Sequence, residues 1–227
     1  MLQVIGHRGI AGLEPENTLR SFRRAVDLGV DYVECDVRPT SDGRLVLMHD
    51  GTVDRTTGGT GRVADQAFEA VRALDAGQGE RVPTLGELLG LIAGRCKVHI
   101  ELKGEGILDE VLRQVEARGL LADVVLTSGD TARLAALRER NSEVAIEHIF
   151  ADPPPDAIPR ALSVRAQRVS MHHHHATADY LGAAHAAGLE VIAWPPNTVP
   201  EMQAMIELGV DLICTDRPDI LLRHLGR

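Results

Sequence analysis

The side chains able to do chemistry in this chain fall in five short clusters: His7-Arg8-Gly9, Pro15-Glu16-Asn17-Thr18, Glu34-Cys35-Asp36, His49-Asp50 and Glu101-Leu102-Lys103. Glu34 and Asp36 are two residues apart, so on a strand they share a face while Cys35 points to the other. Their Cα atoms then lie about 6.6 Å apart, a span that two carboxylates can close by converging on one ion. Glu101 and Lys103 share a face by the same alternation. Three carboxylates brought together repel and raise one another's pKa unless a cation neutralises them. An all-oxygen donor set favours one hard divalent cation, Mg²⁺ or Ca²⁺, over zinc. His7 and His49 titrate near neutral pH and can serve as acid or base. Arg8 offers a fork that matches phosphate geometry, and Lys103 adds a point charge. The chemistry indicated is metal-assisted acid/base attack on an anionic substrate. The competing reading is plain ion pairing of the acids with Arg38 and Lys103.

These residues need a scaffold that gathers strand ends. Strands are predicted near Leu2–Gly6, Asp31–Val37, Lys97–Leu102, Asp123–Thr127, Glu143–Glu147, Gln167–Met171, Glu190–Trp194 and Asp211–Cys214. Amphipathic stretches alternate with them, as at Leu19, Phe22 and Val26, where Pro15 marks a first turn and Gly29 a stop. Gly119, Gly188 and Gly209 read as helix ends of the same kind. Eight alternating units imply parallel strands with right-handed crossovers and, in this length, an α/β fold of the (β/α)8 TIM barrel type. An open doubly wound sheet is the alternative, but the first βα turn lacks the GxGxxG fingerprint. Asp27–Asp36 and Glu207–Asp216 echo one another: helix end, Gly turn, strand, then acids. The segment 40–83 breaks the alternation with a short apolar run, Leu45–Met48, then His49-Asp50, and a helix near Gln66–Leu74. It reads as a small insertion on the second βα loop of a single domain, 1–227, folding over the catalytic face.

Composition narrows the partners. Aromatic residues make up 3% of the 227, so the core is Leu, Val, Ile and Ala, and stacking platforms for single-stranded nucleic acid are absent. The formal charge of −9 repels nucleic acid and anionic headgroups alike. Neither nucleic acid nor a stable membrane association is expected, whereas a few clustered cations and a bound ion still admit a small phosphate. Cys35, Cys96 and Cys214 form no CxxC pair and read as reduced thiols. The opening Met-Leu-Gln-Val-Ile-Gly-His reads directly as a strand with no charged-then-apolar leader. A cytoplasmic protein is expected.

In order and spacing, the five clusters resemble those of the glycerophosphodiester phosphodiesterase family, from His7 to about Pro218. The resemblance implies a barrel that hydrolyses glycerophosphodiesters, a small-molecule substrate, to an alcohol and sn-glycerol 3-phosphate. It implies Glu34, Asp36 and Glu101 as metal ligands, His7 and His49 as the acid/base pair, and Arg8 on the phosphoryl oxygens. Lys103 is expected beside the metal, and the resemblance implies that Trp194 walls the glycerol moiety. Two departures are visible: the usual Trp-Thr-Val-Asn is here Trp194-Pro195-Pro196-Asn197, which removes two N–H donors, and Gly129 follows Ser128 where an aromatic is common. Glu16 and Asn17 read chiefly as a helix start. The run His172–His175 is internal, and only His172 or His174 is placed to look into a barrel mouth. A lysophospholipase D-like activity is the near alternative. The alternative of another class is a catalytically silent barrel that binds a phosphate metabolite, against which both histidines and all three acids count. Which histidine is acid, and whether water or the substrate's 2-hydroxyl attacks, stays open.

Overall fold

Residues 2–227 are described by the computed structural model. The strands are Gln3–Gly6 (β1), Tyr32–Pro39 (β2), Leu45–Leu47 (β3), Lys97–Leu102 (β4), Val124–Ser128 (β5), Ala145–Phe150 (β6), Arg168–His172 (β7), Glu190–Trp194 (β8) and Leu212–Thr215 (β9). Eight of them pair side by side in the order β1-β9-β8-β7-β6-β5-β4-β2, and β1 also pairs with β2, which closes the ring. The fold is a (β/α)8 TIM barrel, as the alternation predicts, and the open sheet is excluded.

The first helix shows how the local sequence sets the frame. It spans Leu19–Asp27, with the Thr18 hydroxyl accepting from the Ser21 N–H and Phe22, Ala25 and Val26 buried. Pro15 lies ahead of the helix, not in its first turn; its carbonyl accepts the Thr18 hydroxyl at 2.7 Å. Leu28 caps the end and Gly29 turns the chain away at φ 84°, the left-handed region that favours glycine. The main core fills the space between helices and barrel, with Phe22, Val33, Leu88, Ile100 and Leu126 among its buried members.

One strand is displaced from its expected position. β6 runs Ala145–Phe150 instead of Glu143–Glu147 because Asn141 intervenes. Its side-chain oxygen accepts the backbone N–H groups of Glu143 and Val144 at 2.9 and 2.8 Å, an Asx turn that consumes the residues before the strand. The segment 40–83 forms a subsidiary unit. β3 pairs antiparallel with the far end of β2, and a separate apolar cluster gathers Val46, Met48, Val53, Val63, Val71, Ala76 and Val82.

A further apolar cluster gathers Ile5, Tyr32, Val125, Ile192, Leu212 and Cys214 from the barrel strands, and polar residues stand beside it. The His99 ring pairs with Glu147 at 2.6 Å, and Arg168 bridges His99 and the Tyr32 hydroxyl, each at 3.0 Å. No helix among the described residues is long and apolar enough to cross a membrane.

Candidate active site

Register assembles the acids. β2 and β4 are neighbours, with Asp36 opposite Glu101 and Glu34 opposite His99. Inward-facing positions on the two strands therefore meet, and carboxylate oxygens of Glu34, Asp36 and Glu101 lie within 4.8 Å of one another. Parity along β2 foretells the first two; only the pairing of β2 with β4 delivers the third.

A strained turn aims the first cluster. After β1 the chain passes through Arg8 at φ 49° and Gly9 at φ 90°. A Cβ on Gly9 would stand 2.3 Å from Ser21 Oγ, so only glycine fits. Ser21 fastens the turn: its hydroxyl donates to the Arg8 carbonyl and accepts from the Ile10 N–H. The turn points the Arg8 N–H at Glu34 Oε2, 2.9 Å away, and holds His7 Nε2 4.0 Å from the same oxygen. His7 Nδ1 lies 2.6 Å from Asp216, just past β9. Asn197 fixes Asp216 in turn, donating to its carboxylate at 2.7 Å and accepting its N–H at 3.0 Å. With Nδ1 engaged, Nε2 is the ring nitrogen free to act.

His49 repeats that pattern from the insertion. Its Nδ1 lies 2.7 Å from Asp50. Asp50 accepts from Arg55, Arg55 donates to Glu16 at 2.7 and 2.8 Å, and Glu16 accepts from Arg8 at 2.8 Å. A chain of charged hydrogen bonds thus ties the two histidine loops together. Glu16 is a member of the site more than a helix-start residue. So is Asn17, 3% exposed, whose amide clamps Asp36 by donating to its carboxylate at 2.8 Å and accepting its N–H. The other cations divide. Arg38 spends its guanidinium on the carbonyls of His49 and Lys103 and makes no direct ion pair with the acids. Lys103 does, at 2.8 Å from Glu101 and 3.4 Å from Asp36.

The charges are unbalanced. Burial and the Asp36 charge push Glu34 well above the usual carboxylate range, and the same two causes raise Glu101. Burial also acts on Asp36, but Lys103, Arg8 and His49 outweigh it and hold Asp36 low. Asp36 is 1% exposed, and its Oδ1 makes no hydrogen bond. A buried, ionised oxygen without a hydrogen-bonded partner, facing two further carboxylates, fits a hard divalent cation. The histidines separate in the opposite sense. Burial depresses the His49 pKa despite Asp36 and Asp50. For His7, burial is outweighed by the Asp216 hydrogen bond and the Glu34 charge, and the pKa is raised.

All this opens on a cavity of about 500 Å³, lined by His7, Arg8, Glu34, His49, Glu101, Lys103 and Trp194 among others. That volume suits a small ligand. Asp36 lies beneath this lining, against Arg8 and Lys103. Gly129 lines it too, and β6, in its shifted position, adds Ile149 and Phe150 to the same wall. None of His172–His175 lines the cavity. His172 instead packs edge-on against Trp194, ring centroids 5.4 Å apart, and the other three form a 3-10 turn on the rim. Sequence reading names Asp50, Asp216 and Asn197 within motifs but assigns none of them a role. Asp50 is signalled by its place beside His49; Asp216 and Asn197 only by following strands whose ends carry other site residues.

The chain as a whole is similar to known proteins. The model of the Glycerophosphoryl diester phosphodiesterase family matches residues 7–220. A glycerophosphodiester phosphodiesterase of Caldanaerobacter subterraneus subsp. tengcongensis is 32% identical over 232 residues, covering 96% of both chains. The solved structure of an Oleispira antarctica phosphodiesterase, in complex with the product sn-glycerol-3-phosphate, superposes with a TM-score of 0.90 at 26% identity, over 99% of this chain and 97% of that one. A glycerophosphodiester phosphodiesterase from Agrobacterium tumefaciens gives 0.85 at 29%, over 96% and 98%. With a family model spanning nearly the whole chain and relatives alike from end to end, this chain belongs to the glycerophosphoryl diester phosphodiesterase family.

Proposed function

We propose that the protein hydrolyses glycerophosphodiesters to an alcohol and sn-glycerol 3-phosphate, as one catalytic unit over 1–227 with 40–83 as its cap. Glu34, Asp36 and Glu101 hold one divalent ion, Mg²⁺ or Ca²⁺, as their all-oxygen donor set favours. When bound, such an ion supplies Lewis-acid polarisation of the phosphoryl group and offsets its negative charge. The observation that carries the reading is a pair of histidines, each anchored through Nδ1 to its own carboxylate, opening on one cavity with the three acids.

Arg8 and Lys103 bind and orient the phosphoryl oxygens, and Trp194 walls the glycerol end. Hydrolysis needs a proton removed from the attacking oxygen and one given to a basic alkoxide. Environments that push two pKa values apart assign those roles. His49, depressed, is neutral at neutral pH and takes the proton from the nucleophile, either water or the substrate's 2-hydroxyl. His7, raised, arrives protonated and donates from Nε2 to the departing oxygen. Asp216 and Asp50 hold the two rings in the working tautomer. Cys35, Cys96 and Cys214 form no disulfide, in keeping with a cytoplasmic setting.

A panel of glycerophosphodiesters with different headgroups, assayed for glycerol 3-phosphate, and a lysophospholipid, assayed for its acylated glycerol phosphate, each with added Mg²⁺ or Ca²⁺, tests this reading. Release from at least one small headgroup is expected. If no diester were cleaved with either ion, a silent phosphate-binding barrel would replace it.

A further inference from the structure

A second group of donors stands outside the cavity. Nitrogens of His173 and His174 and a carboxylate oxygen of Glu201 lie within 4.8 Å of one another. His173 follows β7, and Glu201 sits in the first turn of the helix Val199–Leu208, which follows β8.

Two observations mark this cluster out from an ordinary surface histidine run. His173 is 8% exposed, and neither of its ring nitrogens makes a hydrogen bond of good geometry, the Trp194 backbone being at most a weak, poorly aligned partner. A buried imidazole with both nitrogens unpartnered is costly unless something absent from the protein itself completes it. Glu201 is also pre-aimed. Its Oε2 accepts the backbone N–H groups of Asn197 and Thr198, each at 2.9 Å, as half of a capping box. That leaves Oε1 directed at His173, 3.8 Å from Nε2. Tetrahedral zinc with ligands near 2.1 Å spaces them about 3.4 Å apart, so a small side-chain shift closes the cage. His172 orders the turn by accepting the His174 N–H and stacking on the His173 ring at 4.7 Å.

We infer that His173, His174 and Glu201 form a second metal site, selective for a borderline transition ion such as Zn²⁺ or Co²⁺, with a fourth position open to solvent. Two imidazoles and one carboxylate suit that class and disfavour Mg²⁺ and Ca²⁺, the reverse of the all-oxygen set in the cavity. The site stands behind Trp194, against which His172 packs.

The test is Zn²⁺ titration by calorimetry of the tag-free, metal-stripped full chain, in excess Ca²⁺ to fill the acid cluster. One Zn²⁺ per chain is expected, weakened more than about tenfold by His173→Ala and by Glu201→Gln, since even an outer contact is worth that much. Glutamine at that position keeps the capping box, so E201Q tests ligation without unfolding the helix. His175→Ala is expected to leave affinity unchanged. No Zn²⁺ binding, or binding lost in His175→Ala and unaffected by E201Q, would mean nonspecific chelation by surface histidines and overturn the assignment.

Discussion

His7 and Asp216 are 209 residues apart in the chain and 2.6 Å apart in the fold, the first directly after β1 and the second directly after β9. The contact exists because β1 and β9 pair along their length, with Gly6 beside Thr215. Asp216 is a positioning residue: it holds the His7 ring and supports its charge. Asp216→Asn is expected to lower kcat by about 100- to 10,000-fold, the usual worth of a positioned acid, with little change in KM. Steady-state kinetics decide; a loss of less than threefold would show that His7 works without its partner.

The pH profile follows from the same pair. The proposed mechanism requires His49 neutral and His7 protonated, so kcat/KM should trace a bell. The acid limb reports His49 and falls below the ordinary histidine value of about 6.5; the alkaline limb reports His7 and falls above it. Asp216→Asn should move the alkaline limb to lower pH and leave the acid limb in place. An unmoved alkaline limb would assign it to another group.

Leaving-group chemistry separates acid from base. A nitrophenolate departs without a proton, whereas an alkoxide needs one. His7→Ala should therefore lose about 100-fold or more on an alkyl headgroup and less than about tenfold on a p-nitrophenyl ester of glycerol phosphate. His49→Ala should lose heavily on both. The reverse pattern would exchange the two roles.

Without an ion, the acid cluster makes stability depend on pH. The folded-state pKa values of Glu34 and Glu101 lie above their unfolded values, so between those limits the native state binds more protons than the unfolded chain. Stability from this source is full below the unfolded carboxylate pKa and declines as pH rises through the folded values. His7, also raised, adds a decline of the same sign. Thermal melting of metal-stripped protein should fall in Tm from pH 6 to pH 8, and added Ca²⁺ or Mg²⁺ should remove most of that slope. A flat profile with chelator would show that the cluster is neutralised internally.

How much of this the sequence discloses depends on the range of each contact. Glu34 and Asp36 are legible because alternation along one strand puts them on one face. Glu101 is legible as a candidate, but its meeting with Asp36 is a matter of which strands become neighbours, and that emerges only from the strand order of the folded sheet. The Asn17 clamp hides inside a helix-start pattern, since the amide that holds Asp36 sits at φ 57° directly before the Thr18 cap. The four-histidine run misleads in the other direction: spacing suggests a view into the mouth, yet a 3-10 turn after β7 carries three of the rings onto the rim. Phe150 went unnoticed because the Asn141 turn shifts β6 along the chain.

On the proposed mechanism, a metal-loaded acid cluster and two anchored histidines act together on one phosphodiester. Glycerol 3-phosphate release by wild type, chelator-stripped protein, the same sample after Ca²⁺ or Mg²⁺ is restored, and Asp36→Asn tests it most directly. Activity should vanish on stripping, return with the ion and stay absent in Asp36→Asn. Full turnover by the stripped enzyme, or by Asp36→Asn, would contradict the account.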